Sequence, residues 1–101
     1  MSRVYFEGWY SGFYDYYVKA EDWYKDNLVY VNLRGYAYGA SLSRPAVEKS
    51  FLVRFDYPER IAHYDGTIAE ILSNTDEKRD QEGRLIPISI TLPQIDICGR
   101  G

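Results

Sequence analysis

The 101-residue sequence is poor in the residues that bind metals or form disulfides. Its only histidine is His63 and its only cysteine is Cys98. One imidazole and one thiol cannot supply the usual ligands of a zinc site, and a single thiol cannot close a disulfide within the chain. We therefore expect no metal, no disulfide and a reducing, cytoplasmic location.

Long apolar runs are also missing. The longest stretch without a charged residue is 85–95, which contains Pro87 and Pro93, whereas a membrane-spanning helix needs roughly twenty apolar residues. Hydrophobic residues still make up 46% of the chain and charged residues 27%, a composition typical of a globular protein. We predict a single domain over residues 1–101 with no membrane segment.

Basic residues are neither abundant nor clustered. Twelve Lys and Arg stand against fifteen Asp and Glu, for a net charge of −3, and the only adjacent basic pair is Lys78-Arg79. Nucleic-acid-binding surfaces neutralise phosphates with clustered cations. We therefore expect no direct binding of nucleic acid, and the same reasoning excludes anionic membranes.

Aromatic residues, in contrast, are abundant and unevenly distributed. The chain has eleven Tyr, four Phe and two Trp, and thirteen of these seventeen lie in its first 38 residues. A small core cannot enclose so many large rings, and buried tyrosine hydroxyls need polar partners. Several of the rings should therefore line a surface.

The first half of the sequence favours β-strands. Residues 4–10 and 13–18 are rich in aromatic residues of high strand propensity, and the polar residues 20–27 are typical of a connecting turn. From residue 28 onwards alternation is clear, with apolar side chains on one face and Tyr30, Tyr36 and Tyr38 on the other. We predict a loop over 39–45 and a further strand over 51–56.

Residues 58–74 are predicted to form one amphipathic helix. Apolar side chains recur there at helical spacing, and Asp56 and Glu59 have the spacing of a capping box. The dipeptide Asp65-Gly66 offers an alternative, because it is also a strong hairpin signal that would turn this segment into two strands.

The C-terminal part combines a charged segment with an interrupted strand. Seven of the nine residues 76–84 are charged, which indicates a solvated loop. Isoleucines then alternate over 86–97, and the two prolines in this segment favour an edge strand. The predicted fold class is α+β, an antiparallel sheet of five or six strands with one late helix. An all-β fold follows if Asp65-Gly66 forms a hairpin turn.

No motif indicates catalysis or cofactor binding. The glycine-containing segments 8–12 and 35–39 match no phosphate-binding pattern, and we interpret their glycines as positions where strands bend or where backbone lies beneath a ring. A nucleophilic pair of Cys98 and His63 is a weaker interpretation than two structural residues. We predict a protein that is not an enzyme and has no cofactor.

The aromatic residues could stack on nucleic-acid bases, stack on sugars or form a protein interface. Base stacking needs cations among the rings, and few are present, whereas Tyr and Trp readily provide binding energy in protein interfaces. We predict protein binding, with a small-ligand or glycan-binding module as the alternative. The residues predicted to contact a partner are Glu7, Trp9, Tyr10, Tyr14, Asp15, Tyr16, Asp22, Trp23, Tyr24, Tyr36 and Tyr38.

In composition alone, this profile resembles that of small phage or mobile-element inhibitors of bacterial defence, anti-CRISPR proteins among them, and also that of immunity proteins and antitoxins. The resemblance implies an inhibitor that blocks another protein, which could be a nucleic-acid-handling complex with a basic surface. Residues 1–26 sum to a charge of only −2, which favours steric blocking over mimicry of DNA. A homo-oligomer that buries the aromatic surface is a further alternative.

Overall fold

The structure is a computed structural model that describes residues 3–12, 14–24, 26–37 and 44–92. It contains five strands and one helical segment, which begins as a 3-10 helix over Pro58–Tyr64 and continues as α1 over Asp65–Ser73. The strands are β1 (Val4–Ser11), β2 (Asp15–Trp23), β3 (Leu28–Tyr36), β4 (Val47–Phe55) and β5 (Ile88–Ile90).

The strands form one sheet in the order β1-β2-β3-β4-β5. The first four are antiparallel neighbours in sequence, and β5 pairs parallel to β4 because the helical segment lies between these two strands in the chain. The predicted α+β fold, with a mostly antiparallel sheet and one late helix, is confirmed. Among the described residues, no helix is long and apolar enough to cross a membrane.

The core lies between one face of the sheet and the helical segment. Val18, Val31 and Phe51 are on adjacent strands and share this face, because the registers Val18↔Leu33 and Val31↔Phe51 place them in phase. Ile68 and Leu72 of α1 pack on them and are fully buried. Burial of each such aliphatic side chain contributes about 1.5–3 kcal/mol, so this contact determines which face of the sheet is covered.

The turn predicted over residues 20–27 is wrong for its first half. Ala20 is fully buried and pairs with Val31, and β2 continues to Trp23. Pairing on both sides overrides the polar composition, because alternation buries Ala20 and leaves Glu21 at the surface. Of the described residues in this segment, only Tyr24, Asp26 and Asn27 lie in the turn, and Asn27 has a left-handed φ of 56°, which asparagine tolerates well.

The helix predicted over 58–74 is present, and the hairpin alternative is wrong. Gly66 lies in the first turn of α1 rather than between two strands. The predicted capping box does not form, since neither helical segment has a side-chain cap. The Asp56 carboxylate instead accepts the adjacent N–H of Tyr57 and lies 4.0 Å from the Arg60 guanidinium.

The later strands differ in length from the prediction. β4 begins four residues before position 51, because its pairing with β3 extends as far as the pair Gly35↔Val47. β5 is an edge strand, as its prolines predicted, but has only three residues. Residues 39–43, 93–97 and Cys98 lie outside the described residues, so a sixth strand is not part of this description.

Candidate functional site: the open face of the sheet

The face of the sheet that points away from the helical segment is the candidate site, and we call it the open face. It consists of the odd-numbered residues 7–11 of β1 and 15–23 of β2, and of the even-numbered residues 28–36 of β3 and 48–54 of β4. These positions share one face because side chains alternate along a strand and paired residues point the same way. No described helix lies on this face.

A first aromatic cluster lies at one end of the open face. The Trp9 ring is 5.3 Å from the Tyr17 ring and 5.6 Å from the Tyr36 ring, centroid to centroid. Tyr36 is only 7% exposed, whereas Trp9 is 53% exposed. The cluster therefore exposes about half of the Trp9 side chain, which packs on the buried ring of Tyr36.

The hydroxyl of Tyr17 donates a hydrogen bond to the Glu7 carboxylate. This hydrogen bond raises the pKa of Tyr17, because a phenolate would lose the bond and face the carboxylate charge. The bond fixes the Tyr17 ring beside Trp9 and engages the Glu7 carboxylate.

A second aromatic cluster lies towards the opposite end. The Trp23 ring is 5.9 Å from the Tyr30 ring and 6.3 Å from the ring of Tyr24 in the adjoining turn. Leu28 is buried on this face but is not part of the main core, and Tyr24 is 70% exposed. Tyr17 and Trp23 are six residues apart on β2, so the clusters are separated by about 20 Å along the strand.

Polar side chains fill the surface between the clusters and largely pair with one another. Arg34 lies 3.3 Å from Glu48, and Lys19 lies 4.0 Å from Glu21. The Asn32 amide donates to the Ser50 hydroxyl at 3.1 Å. The face carries four carboxylates and three cations in all, so it is nearly neutral.

The β4 margin of the open face is held by a contact that the sequence did not reveal. Glu77 accepts the backbone N–H of Ser50 at 2.8 Å and hydrogen bonds from Arg79 Nε at 3.1 Å and Nη2 at 3.2 Å. The Arg79 guanidinium, with help from the Ser50 N–H, holds the pKa of Glu77 below its usual range. This part of the predicted solvated loop therefore covers a free backbone donor of β4.

The eleven predicted contact residues do not share one surface. Glu7, Trp9, Asp15, Trp23 and Tyr36 lie on the open face. Tyr14 and Tyr24 lie in the turns that follow β1 and β2. Tyr38 lies outside the described residues.

Three of the predicted residues belong instead to the helix side of the sheet, and this corrects the prediction of one common face. Tyr10 donates to the Asp65 carboxylate of α1 at 2.8 Å, and Asp22 accepts from Tyr5 at 2.8 Å. The Tyr16 ring packs against the core. The physical reason is the two-residue period of a strand, which sends adjacent side chains such as Trp9 and Tyr10 to opposite faces.

Sequence reasoning missed two central residues of the open face, Tyr17 and Tyr30. A signal for Tyr30 was present, since the alternation from residue 28 places it with Tyr36. The assignment of Tyr17 to the open face depends on the register Trp9↔Tyr17. That register can be predicted only when the exact residues of the hairpin turn are known.

The described residues contain no group of three or more His, Cys, Asp or Glu side chains that could hold a metal ion. His63 is exposed on the 3-10 helix. No protein-family model, curated protein or solved structure matches the chain. The functional argument therefore depends on the open face itself.

Proposed function

We propose that this protein is a non-enzymatic binding protein that docks its open face on another protein. The observation that carries the proposal is a four-stranded face that no described helix covers, with an aromatic cluster towards each end that exposes Trp9 at one end and Tyr24 of the adjoining turn at the other. Trp and Tyr are enriched among the residues that dominate interface energetics. Rings that are already packed lose little conformational freedom when a partner binds.

The dimensions of the open face support a macromolecular partner. Four strands of about nine residues span about 30 Å by 15–20 Å, a projected area of about 500 Å². A standard interface buries about 800 Å² on each partner. The open face supplies most of this area, and the turns at either end can supply the remainder.

The charges on the face favour steric docking over mimicry of phosphates. Glu48 pairs with Arg34, Glu21 lies beside Lys19, and Glu7 accepts the Tyr17 hydroxyl. The fourth carboxylate, Asp15, accepts the Ser11 hydroxyl at 3.5 Å, so the face offers few free carboxylates to a basic groove. We infer that the protein inhibits its partner by covering a functional surface, in the manner of the small inhibitors of defence systems that its composition resembles, and that affinity depends weakly on salt.

The test is capture of a partner from lysate of a host cell, with nuclease treatment, followed by reconstitution from purified proteins. Trp9→Ala and Tyr30→Ala remove a ring from each cluster. The matched controls are Tyr57→Ala and Ile71→Ala, which remove side chains that are 46% and 39% exposed away from the open face. We expect each open-face variant to weaken the purified complex by tenfold or more, as at interface hot spots, and the controls to change it by less than about twofold.

Two results would contradict the proposal. One is a purified complex whose affinity is unchanged in both open-face variants, because the partner would then bind elsewhere. The other is a partner lost on nuclease treatment, which would indicate recognition through nucleic acid. Sedimentation of the protein alone provides a separate control, since a dimer that Trp9→Ala dissociates would identify the open face as a contact between copies.

A further inference from the structure

The two edges of the sheet are protected to different degrees. The edge strand β5 has three residues and follows Pro87, and beyond its end Glu77 covers the Ser50 N–H of β4. The other edge strand, β1, has eight residues without proline or lysine. Among the described residues no strand pairs with its outer side. Exposed edges normally carry such protective features, because their free backbone groups pair readily with other chains.

The hydrogen-bonding register identifies which backbone groups of β1 point outwards. The Gly12 N–H donates to the Tyr14 carbonyl at 2.9 Å, which makes Ser11↔Asp15 a non-hydrogen-bonded pair. Such pairs alternate along an antiparallel ladder. The N–H and C=O groups of Glu7, Trp9 and Ser11 are therefore directed away from β2.

A cleft of about 580 Å³ lies beside the C-terminal half of this edge, between β1 and α1. Tyr10 and Tyr16 line it from the sheet, and Gly66 and Ala69 line it from the helix. Its volume falls within the range of about 300–1,000 Å³ typical of ligand pockets. A strand added to β1 would place alternate side chains on the cleft side and on the Trp9 side of the sheet.

The charge of the cleft indicates which kind of side chain an added strand would place in it. Glu70 is its only charged residue among those described, and it lies on the exposed side of α1. Beside the cleft, the Asp65 carboxylate accepts the Tyr10 hydroxyl and the Lys49 ammonium donates to the Ser73 carbonyl at 3.1 Å, so these three charged groups sum to one negative charge. A lysine or arginine side chain would complement this charge, whereas an acidic side chain would be repelled.

We propose that the β1 edge and the adjoining cleft bind an extended, cationic segment of a partner protein by strand addition. Backbone hydrogen bonds to Glu7, Trp9 and Ser11 supply affinity, and the cleft selects a basic side chain through Glu70. This site adjoins the open face, because Glu7, Trp9 and Ser11 belong to both, but it uses the outward backbone groups of these residues and the cleft rather than the docking surface, and it does not depend on the function proposed for that surface.

The probe is a short labelled peptide of alternating valine and lysine, compared with a counterpart in which glutamate replaces lysine. Fluorescence anisotropy with the full chain should show saturable binding of the lysine peptide, about tenfold or more tighter than the glutamate peptide. Amide hydrogen exchange should slow at Glu7, Trp9 and Ser11 when the peptide is bound.

Paired variants separate the contributions. Ser11→Pro removes an outward N–H and should weaken peptide binding about tenfold or more, whereas Ser11→Ala should not. Glu70→Lys should weaken it similarly, whereas Glu82→Lys, on the distant charged loop, should not. Tyr30→Ala on the open face should leave peptide binding unchanged.

Several outcomes would overturn the proposal. Equal affinity for the lysine and glutamate peptides would show that the cleft does not select a basic side chain. Wild-type affinity of Glu70→Lys for the lysine peptide would show the same. Protection of the Glu7, Trp9 and Ser11 amides in the free monomer would show that the chain covers its own edge, and their protection in a dimer would make a second copy the occupant. If circular dichroism shows that Ser11→Pro is unfolded, Glu70→Lys and amide exchange on the wild-type chain decide the question.

Discussion

Replacing two glycines by alanine should change stability in opposite directions. Gly66 lies in the first turn of α1, and a Cβ added there would have no heavy atom within 4 Å apart from the local backbone of the helix and its chain neighbours. Alanine loses less backbone freedom than glycine on folding, so Gly66→Ala should stabilise the protein by about 0.5–1 kcal/mol. The expected rise in melting temperature is about 2–8 °C.

Gly35 is the opposite case, because it lies beneath the Tyr16 ring. A Cβ at Gly35 would be 3.1 Å from Cε1 of Tyr16 and 3.5 Å from Cβ of Val47. The ring is confined on its glycine side, since it also lies over Gly12, where a Cβ would be 3.2 Å from its Cε2, and it can shift only towards the cleft beside α1. Overpacking typically costs about 1–3 kcal/mol, which exceeds the gain in backbone entropy. We expect Gly35→Ala to lose about 1–2 kcal/mol.

Urea unfolding followed by circular dichroism measures both effects, and a double-mutant cycle identifies the cause of the second. In a Tyr16→Ala background the ring is absent, so Gly35→Ala should no longer be destabilising. The reasoning would be refuted if Gly35→Ala were at least as stable as the wild type. It would also be refuted if the loss persisted unchanged without the Tyr16 ring.

Two further predictions concern ionisable groups. Glu77→Gln should cost about 1 kcal/mol at neutral pH through weaker bonds to Arg79 and Ser50. Folding lowers the pKa of Glu77, so its stabilisation is complete above the ordinary value of 4.5 and is lost as pH falls through the lower folded value. The urea midpoints of wild type and variant should therefore converge as the pH is lowered below 4.5. Tyr10→Phe should cost about 1 kcal/mol, since it removes the bond to Asp65. Burial, together with that bond, raises the pKa of Tyr10. The stabilisation is therefore present below the ordinary pKa of 10.0 and is lost as the pH rises through the higher folded pKa. Ultraviolet titration should show that the variant lacks one tyrosine that ionises at unusually high pH.

The parts of the fold that local alternation determines could be predicted from the sequence. The apolar face of β3 and the helix after Pro58 follow from two-residue and helical periods that are visible in the chain. Gly35 also behaves as interpreted, with its backbone close beneath a ring. The extension of β2 through Ala20 could not be predicted, because it depends on pairing with Val31 rather than on local propensity.

The site was harder to predict than the fold, because a face is defined by register between strands. Aromatic residues are adjacent in sequence at 9–10 and 16–17, and each adjacent pair divides between the two faces of the sheet. A one-residue error in the hairpin turn would exchange every one of these assignments. The contact of Glu77 with Ser50 joins residues far apart in the chain, and no local pattern indicates it.

The division of the rings between the faces bears on why the sequence is so rich in them. The helix side is filled by Phe6, Tyr10 and Tyr16, which pack on α1 or the core, and this is the ordinary role of aromatic residues in a small domain. The rings of Trp9, Tyr17 and Trp23 do not pack on α1, because β1 and β2 direct them to the opposite face. An open sheet face that only has to contact solvent is served by small polar and charged residues, as between the two clusters. The aromatic excess on the open face therefore exceeds what folding requires, and the proposed burial against a partner protein would account for it.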